Sequence, residues 1–141
     1  MLTDLGYGLA TGLAYAAVGT VLMVVGFVVV DLLTPGSLRR LVWAERNRNA
    51  VIVLCSGLLG TAAVVVTAIL TSDDDFGRGI VSTVAYGLLG LLLMAVSFVV
   101  VDLLTPGRLG ELLMQGEPHP AAWVTACAHL SVAAIVAAAI S

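Results

Sequence analysis

The sequence predicts an all-α polytopic membrane protein, a four-helix bundle made of two tandem two-helix repeats in parallel orientation. Three observations carry that prediction. The composition is too apolar for a water-soluble domain, the charged residues leave four long uncharged stretches, and a 24-residue segment recurs at a fixed spacing.

Of 141 residues, 60% are hydrophobic and 11% charged, and the mean hydropathy is +1.11. Soluble domains carry about 25% charged residues, and a chain this short has too little interior to hide so much apolar surface. A lipid bilayer as solvent removes the conflict. No Asp, Glu, Lys or Arg lies between Asp4 and Asp31, between Arg48 and Asp73, between Arg78 and Asp102, or after Glu117. About 20 apolar residues in a helix cross the hydrocarbon core, so the four gaps predict spans over roughly 7–33, 50–71, 80–104 and 121–140. The pairing of spans divides the chain into units 1–71 and 72–141.

The first span follows Met1-Leu2-Thr3-Asp4, which has no basic stretch, and its apolar run is too long for a signal peptide. The segment after it, 34–49, holds Arg39, Arg40, Arg46 and Arg48. The second span carries Cys55. The short connection that follows holds Asp73-Asp74-Asp75 and Arg78, and reads as a solvated turn. Beyond the third span come Arg108 and His119, and the fourth span contains Trp123, Cys127 and His129. The two cysteines lie inside spans without a CxxC pattern, so they read as reduced, buried thiols. All six basic residues are Arg, and five fall in the two segments that follow the first and third spans. The positive-inside rule therefore places both segments in the cytoplasm and both termini outside.

Tyr15–Leu38 reads YAAVGTVLMVVGFVVVDLLTPGSL and Tyr86–Leu109 reads YGLLGLLLMAVSFVVVDLLTPGRL, with 16 of 24 positions identical. Matching Tyr, Met, Phe, Asp, Thr, Pro and Gly in register signals an internal duplication. Each unit holds two spans, so both copies enter the membrane in the same direction, related by an axis along the membrane normal. The fourth span has diverged: His129 stands where the second span has Leu58.

Asp31 and Asp102 lead the functional candidates. Each precedes Leu-Leu-Thr-Pro-Gly, in the helix-break motifs Thr34-Pro35-Gly36 and Thr105-Pro106-Gly107. Proline frees the carbonyl four residues before it, and the helix C-terminus adds partial negative charge. The result is a place attractive to a cation or proton, with the two copies facing one another across the axis. The alternative is structural, an ion pair or a hydrogen bond anchoring the following loop, because each Asp lies only about one turn from the break. His129 is either a proton-responsive group or a neutral histidine bonded to a neighbouring helix; no second ligand at helical spacing supports a metal. Tyr15 and Tyr86 are candidates to line a path, or packing aromatics at the interface. Gly8 and Gly12 form a GxxxG pair that favours close helix contact within or between chains. Arg39, Arg40, Arg46 and Arg48 are placed to touch anionic headgroups or a partner. No nucleophile elbow, phosphate loop or metal-ligand cluster is present, so an enzyme, a cofactor and nucleic-acid binding are not expected.

The twin Tyr-x3-Gly, Met, Phe and Asp-Leu-Leu-Thr-Pro-Gly pattern, followed by Asn47 and Asn49 and an Ala/Val-rich span, resembles bacterial inner-membrane proteins of the domain-of-unknown-function 350 family (DUF350), in two tandem copies. The second copy departs from the pattern, with Ser97 for Gly26 and Glu117-Pro118-His119-Pro120 for the Asn-containing stretch. The resemblance implies a small multi-span protein of the bacterial plasma membrane without an assigned activity, some relatives being linked to envelope stress or polyamines. An Ala/Val/Gly-rich chain with Arg and no Lys points to a high-GC source such as an actinobacterium. The resulting expectation is an oligomeric membrane scaffold or accessory subunit, working as a homo-oligomer or in a larger complex. The alternative is an ion- or proton-coupled channel or transporter using Asp31 and Asp102.

Overall fold

The computed structural model describes residues 2–34, 37–72, 75–104, 111 and 117–141. Among these residues the architecture is all-helical, with four long apolar helices of a length and composition to cross a membrane: α1 (Leu2–Leu33), α2 (Arg48–Leu70), α3 (Phe76–Leu104) and α4 (Pro120–Ile140). A short π-helical segment, Arg40–Ala44, lies between α1 and α2.

Local chemistry sets the helix ends. α1 begins at Leu2, five residues before the apolar stretch suggests, because Asp4 in the first turn is compatible with a helix N-terminus. Asn47 caps α2, its side-chain oxygen accepting the N–H groups of Asn49 and Ala50 at 2.9 and 3.2 Å. Asp75 does the same for α3 through the Arg78 N–H at 3.0 Å, which moves the start of this helix back to Phe76 and takes Arg78 into its first turns. α4 opens with His119, whose Nδ1 accepts the Ala121 N–H at 3.1 Å, followed by Pro120 where a missing N–H costs nothing.

The bundle is built apolar side out. Leu13, Leu32, Leu70, Leu103 and Ile135 are among the large apolar side chains exposed on its surface, as suits a protein whose solvent there is lipid. Inside, among apolar core residues such as Leu22, Val53, Met94 and Phe98, the polar side chains of Thr34, Ser56, Thr61, Thr83, Thr125 and His129 are also buried. Thr34, Thr61, Thr83 and Thr125 each donate to the carbonyl four residues earlier, at 2.8–2.9 Å. Among the described residues no buried side-chain nitrogen or oxygen lacks a hydrogen-bond partner, which a low-dielectric interior requires.

The most extensive helix pair is α2 with α4; α1 packs on α2 and α3, and α3 on α2 and α4. Close approach depends on glycine. A Cβ at Gly60 would come within 2.7 Å of Met94, one at Gly87 within 2.6 Å of Leu22, and one at Gly90 would collide with Val64.

These contacts also fix the register. Leu22 of α1 meets Gly87 of α3, and Gly26 meets Leu91, so facing residues are 65 apart, whereas the recurring sequence segment is spaced by 71. α3 is therefore displaced by six positions relative to α1, about 9 Å along the helix axis. Recurring residues meet different surroundings as a result. Phe98 and Met94 are buried in the core, whereas Phe27 is partly buried and Met23 lines an outer groove.

Candidate functional site

Three groups of polar or charged residues are positioned by this frame. The first is the return after α1. The Asp31 carboxylate accepts the Leu38 N–H at 2.7 Å, and the Thr34 N–H and hydroxyl both bond to the Val30 carbonyl, at 3.1 and 2.8 Å. Leu38 is wholly buried and Leu41 nearly so. The chain thus folds back against the end of α1, with its leucines seated in the core and Arg39, Arg40 and Trp43 outside. Trp43 meets Phe27 edge-on, ring centroids 6.5 Å apart. Arg40 pairs with Glu45 at 3.0 Å, both well exposed. Arg46 adopts a left-handed backbone (φ 50°), which turns the chain so that the Asn47 N–H reaches the Leu41 carbonyl at 2.9 Å. Arg48 then opens α2.

The second group is the centre of the bundle. His129 is 2% exposed, with Nδ1 3.2 Å from the Ser56 hydroxyl of α2 and the ring stacked on Phe98 of α3 at 5.6 Å. Beside it all four helices enclose a cavity of ≈ 10 Å³, bordered by Gly26, Val30, Thr61, Met94, Phe98 and His129. That volume is about the least that holds one water. Its lining includes neither Asp31 nor Asp102.

The third is a tie between the two inter-helix segments. Buried Asn49 donates from Nδ2 to the Glu117 carbonyl at 2.8 Å and accepts the His119 N–H on Oδ1 at 2.9 Å. One amide side chain thereby fixes the starts of α2 and α4 to each other.

Asp102 is half-buried in the last turn of α3, and the register sets it about 9 Å further along the bundle than Asp31. The counterpart of Leu38 in the second segment, Leu109, lies outside the described residues, as do Pro35, Gly36, Thr105, Pro106, Gly107, Arg108, Asp73 and Asp74. Tyr15 bonds to the Ser72 hydroxyl at 3.1 Å and meets Phe76 edge-on at 6.3 Å, tying α1 to the turn between α2 and α3. Tyr86 is on the outer surface. Among the described residues no group of three or more His, Cys, Asp or Glu is placed to hold a metal ion. Cys55 and Cys127 are free and face outward, not inward as the sequence suggests: small residues occupy the α2–α4 seam, which turns the thiols to the lipid side.

Asp31, His129 and the Arg cluster stand out in the sequence as functional candidates; Ser56, Phe98 and Trp43 do not. Ser56 and Phe98 carry no signal of their own, since only packing shows that they flank His129. Trp43 did carry one: an indole among arginines beside an apolar span is a pattern for a bilayer interface.

The family model described as "Domain of Unknown Function (DUF350)" matches residues 4–140. The chain is 39% identical over 134 residues to a "UPF0719 transmembrane protein" of Mycolicibacterium paratuberculosis, covering 95% of this chain and 89% of the relative. It is 37% identical over 140 residues to proteins of the same description in Mycobacterium bovis and Mycobacterium tuberculosis, covering 99% of this chain and 92% of each relative. No solved structure matches.

Proposed function

This chain belongs to the DUF350 family, and we propose that it is a non-catalytic membrane scaffold or accessory subunit that assembles with further copies of itself or within a larger membrane complex. One observation carries the reading. Three polar side chains that a conduit could expose to its cargo are engaged in structural ties instead: Asp31 with Leu38, His129 with Ser56, and Asn49 with the segment before α4. The space where the four helices meet has room for about one water. The outer surface, by contrast, leaves the Gly8 and Gly12 face of α1 with nothing within 4 Å.

We read the chain as two tandem units, 1–71 and 72–141, running in the same direction. The 16 identities in 24 positions support this, and the slip between α1 and α3 is then a departure from symmetry acquired since duplication. The five-to-one Arg asymmetry supports cytoplasmic segments at 34–49 and 105–120, with both termini outside a bacterial plasma membrane.

The mass of the purified protein in lipid nanodiscs, measured by native mass spectrometry, tests the subunit reading. A defined multiple of one chain, or a stable complex with another membrane protein, is expected. A monodisperse monomer that co-purifies with nothing contradicts it. The competing reading, an ion or proton conduit using Asp31 and Asp102, demands flux that depends on those carboxylates.

A further inference from the structure

A groove of ≈ 600 Å³ lies on the outer face of the return after α1. Val24, Phe27 and Val28 of α1 form its apolar side, and Arg39 and Trp43 close the other. The order of chemistry along it is that of a lipid at an interface. The valines and Phe27 belong to the part of α1 that faces hydrocarbon, the indole of Trp43 suits the boundary layer, and the guanidinium of Arg39 stands where the helix ends. Both Arg39 and Trp43 are exposed. Leu38 and Leu41 are buried on the opposite side of the same segment, which holds the groove wall against the bundle.

Charge decides the occupant. Within 37–48 there are four Arg and one acid, Glu45, and Glu45 pairs with Arg40. The nearest carboxylate on α1, Asp31, accepts the Leu38 N–H. The segment keeps a cationic surplus beside an apolar trough, and planar guanidinium groups bind phosphate through paired hydrogen bonds. We propose that this groove is a binding site for one anionic phospholipid, with the headgroup phosphate on Arg39, the upper acyl chain along Val24, Phe27 and Val28, and Trp43 packed over the glycerol region. This goes beyond the subunit reading and stands or falls separately, since it requires only that the chain spans a bilayer.

The chain has two tryptophans, both exposed and both near the Arg-bearing end of the bundle, since Trp123 lies in the first turn of α4. This gives the test its control. W123F, which keeps only Trp43, is reconstituted in phosphatidylcholine vesicles that contain a small fraction of acyl-brominated phosphatidylglycerol or of acyl-brominated phosphatidylcholine, and Trp quenching is titrated. Trp43 is expected to be quenched at about fivefold lower mole fraction by the anionic lipid, the preference that one basic residue near a surface supplies. The preference should disappear in W123F/R39Q and persist in weakened form in W123F/R39K, which keeps the charge but not the paired hydrogen bonds. W43F, which reports from Trp123 alone, should show no comparable preference. Equal quenching of Trp43 by the two lipids overturns the proposal. So does a preference retained in R39Q, a preference shared by Trp123, which would reflect surface charge in general, or protection of Trp43 from both lipids, which would mean that protein covers the groove. Arg39 is exposed and its substitution leaves Leu38 and Leu41 in place; an unchanged helical circular dichroism spectrum verifies the fold of each variant.

Discussion

At the scale of single residues, Asp31 shows how one side chain can carry two readings until its partner is known. A carboxylate one turn before Pro-Gly is a cation or proton site if it faces an aqueous path, and a loop anchor if it meets a backbone N–H. Here it accepts the Leu38 N–H at 2.7 Å, which holds a fully buried leucine in the core. An amide oxygen can accept the same bond, so the two readings separate by substitution. Asp31→Asn should leave unfolding stability within about 0.5 kcal/mol of wild type, whereas Asp31→Ala should cost about 1–2 kcal/mol by leaving a donor unpaired. Denaturant titration in mixed micelles measures both. Equal losses in the two variants would show that the charge, not the hydrogen bond, is what matters at this position. The sequence identified the carboxylate and offered a bond to the following loop as one reading, but nothing in the pattern singled out the Leu38 N–H as the donor.

At the scale of elements, four uncharged stretches were enough to find four helices, and their C-terminal ends fall within a residue of the apolar limits. The N-terminal ends were less legible. Capping places acidic and polar residues at or inside a helix start, so α1 and α3 begin before their apolar runs do, with Asp4 in the first turn of one and Asp75 preceding the other. Charge also marked 34–49 only as a connection, although leucines at 38 and 41 make 37–47 a packed, partly π-helical return. How the helices meet is set by small residues. A valine at Gly90 would press on Val64, so Gly90→Val should cost about 1–3 kcal/mol of stability, and Val64→Ala in the same chain should recover part of it. Gly12→Val meets nothing within 4 Å and should leave the stability of the single chain unchanged. Unfolding titrations of the three variants check this, and a Gly90→Val protein as stable as wild type would place the α2–α3 contact elsewhere.

At the scale of the whole molecule, the exterior is apolar and the interior joins an apolar core to buried polar side chains that are internally bonded, as a bilayer requires of a short bundle. The recurrence of a 24-residue segment was plain in the sequence. The displacement of α3 by about 9 Å was not, because it arises from which glycine receives which side chain, Gly87 taking Leu22 and Gly26 lying against Leu91. The symmetric pair of carboxylates that the repeat suggests is therefore set at two levels along the bundle. Asp31, His129 and Asn49 are tied into structure and the central cavity is ≈ 10 Å³; both support the proposal that the molecule is part of a membrane assembly and not a pathway through it. Vesicle flux tests that claim most directly. Protein reconstituted in liposomes loaded with a pH-sensitive dye, with monovalent-cation and proton gradients imposed in turn, should leak no faster than protein-free liposomes, and Asp31→Asn/Asp102→Asn should behave the same. Flux by the wild-type protein that the double substitution abolishes would contradict the account and restore the carboxylates as the working groups of a conduit.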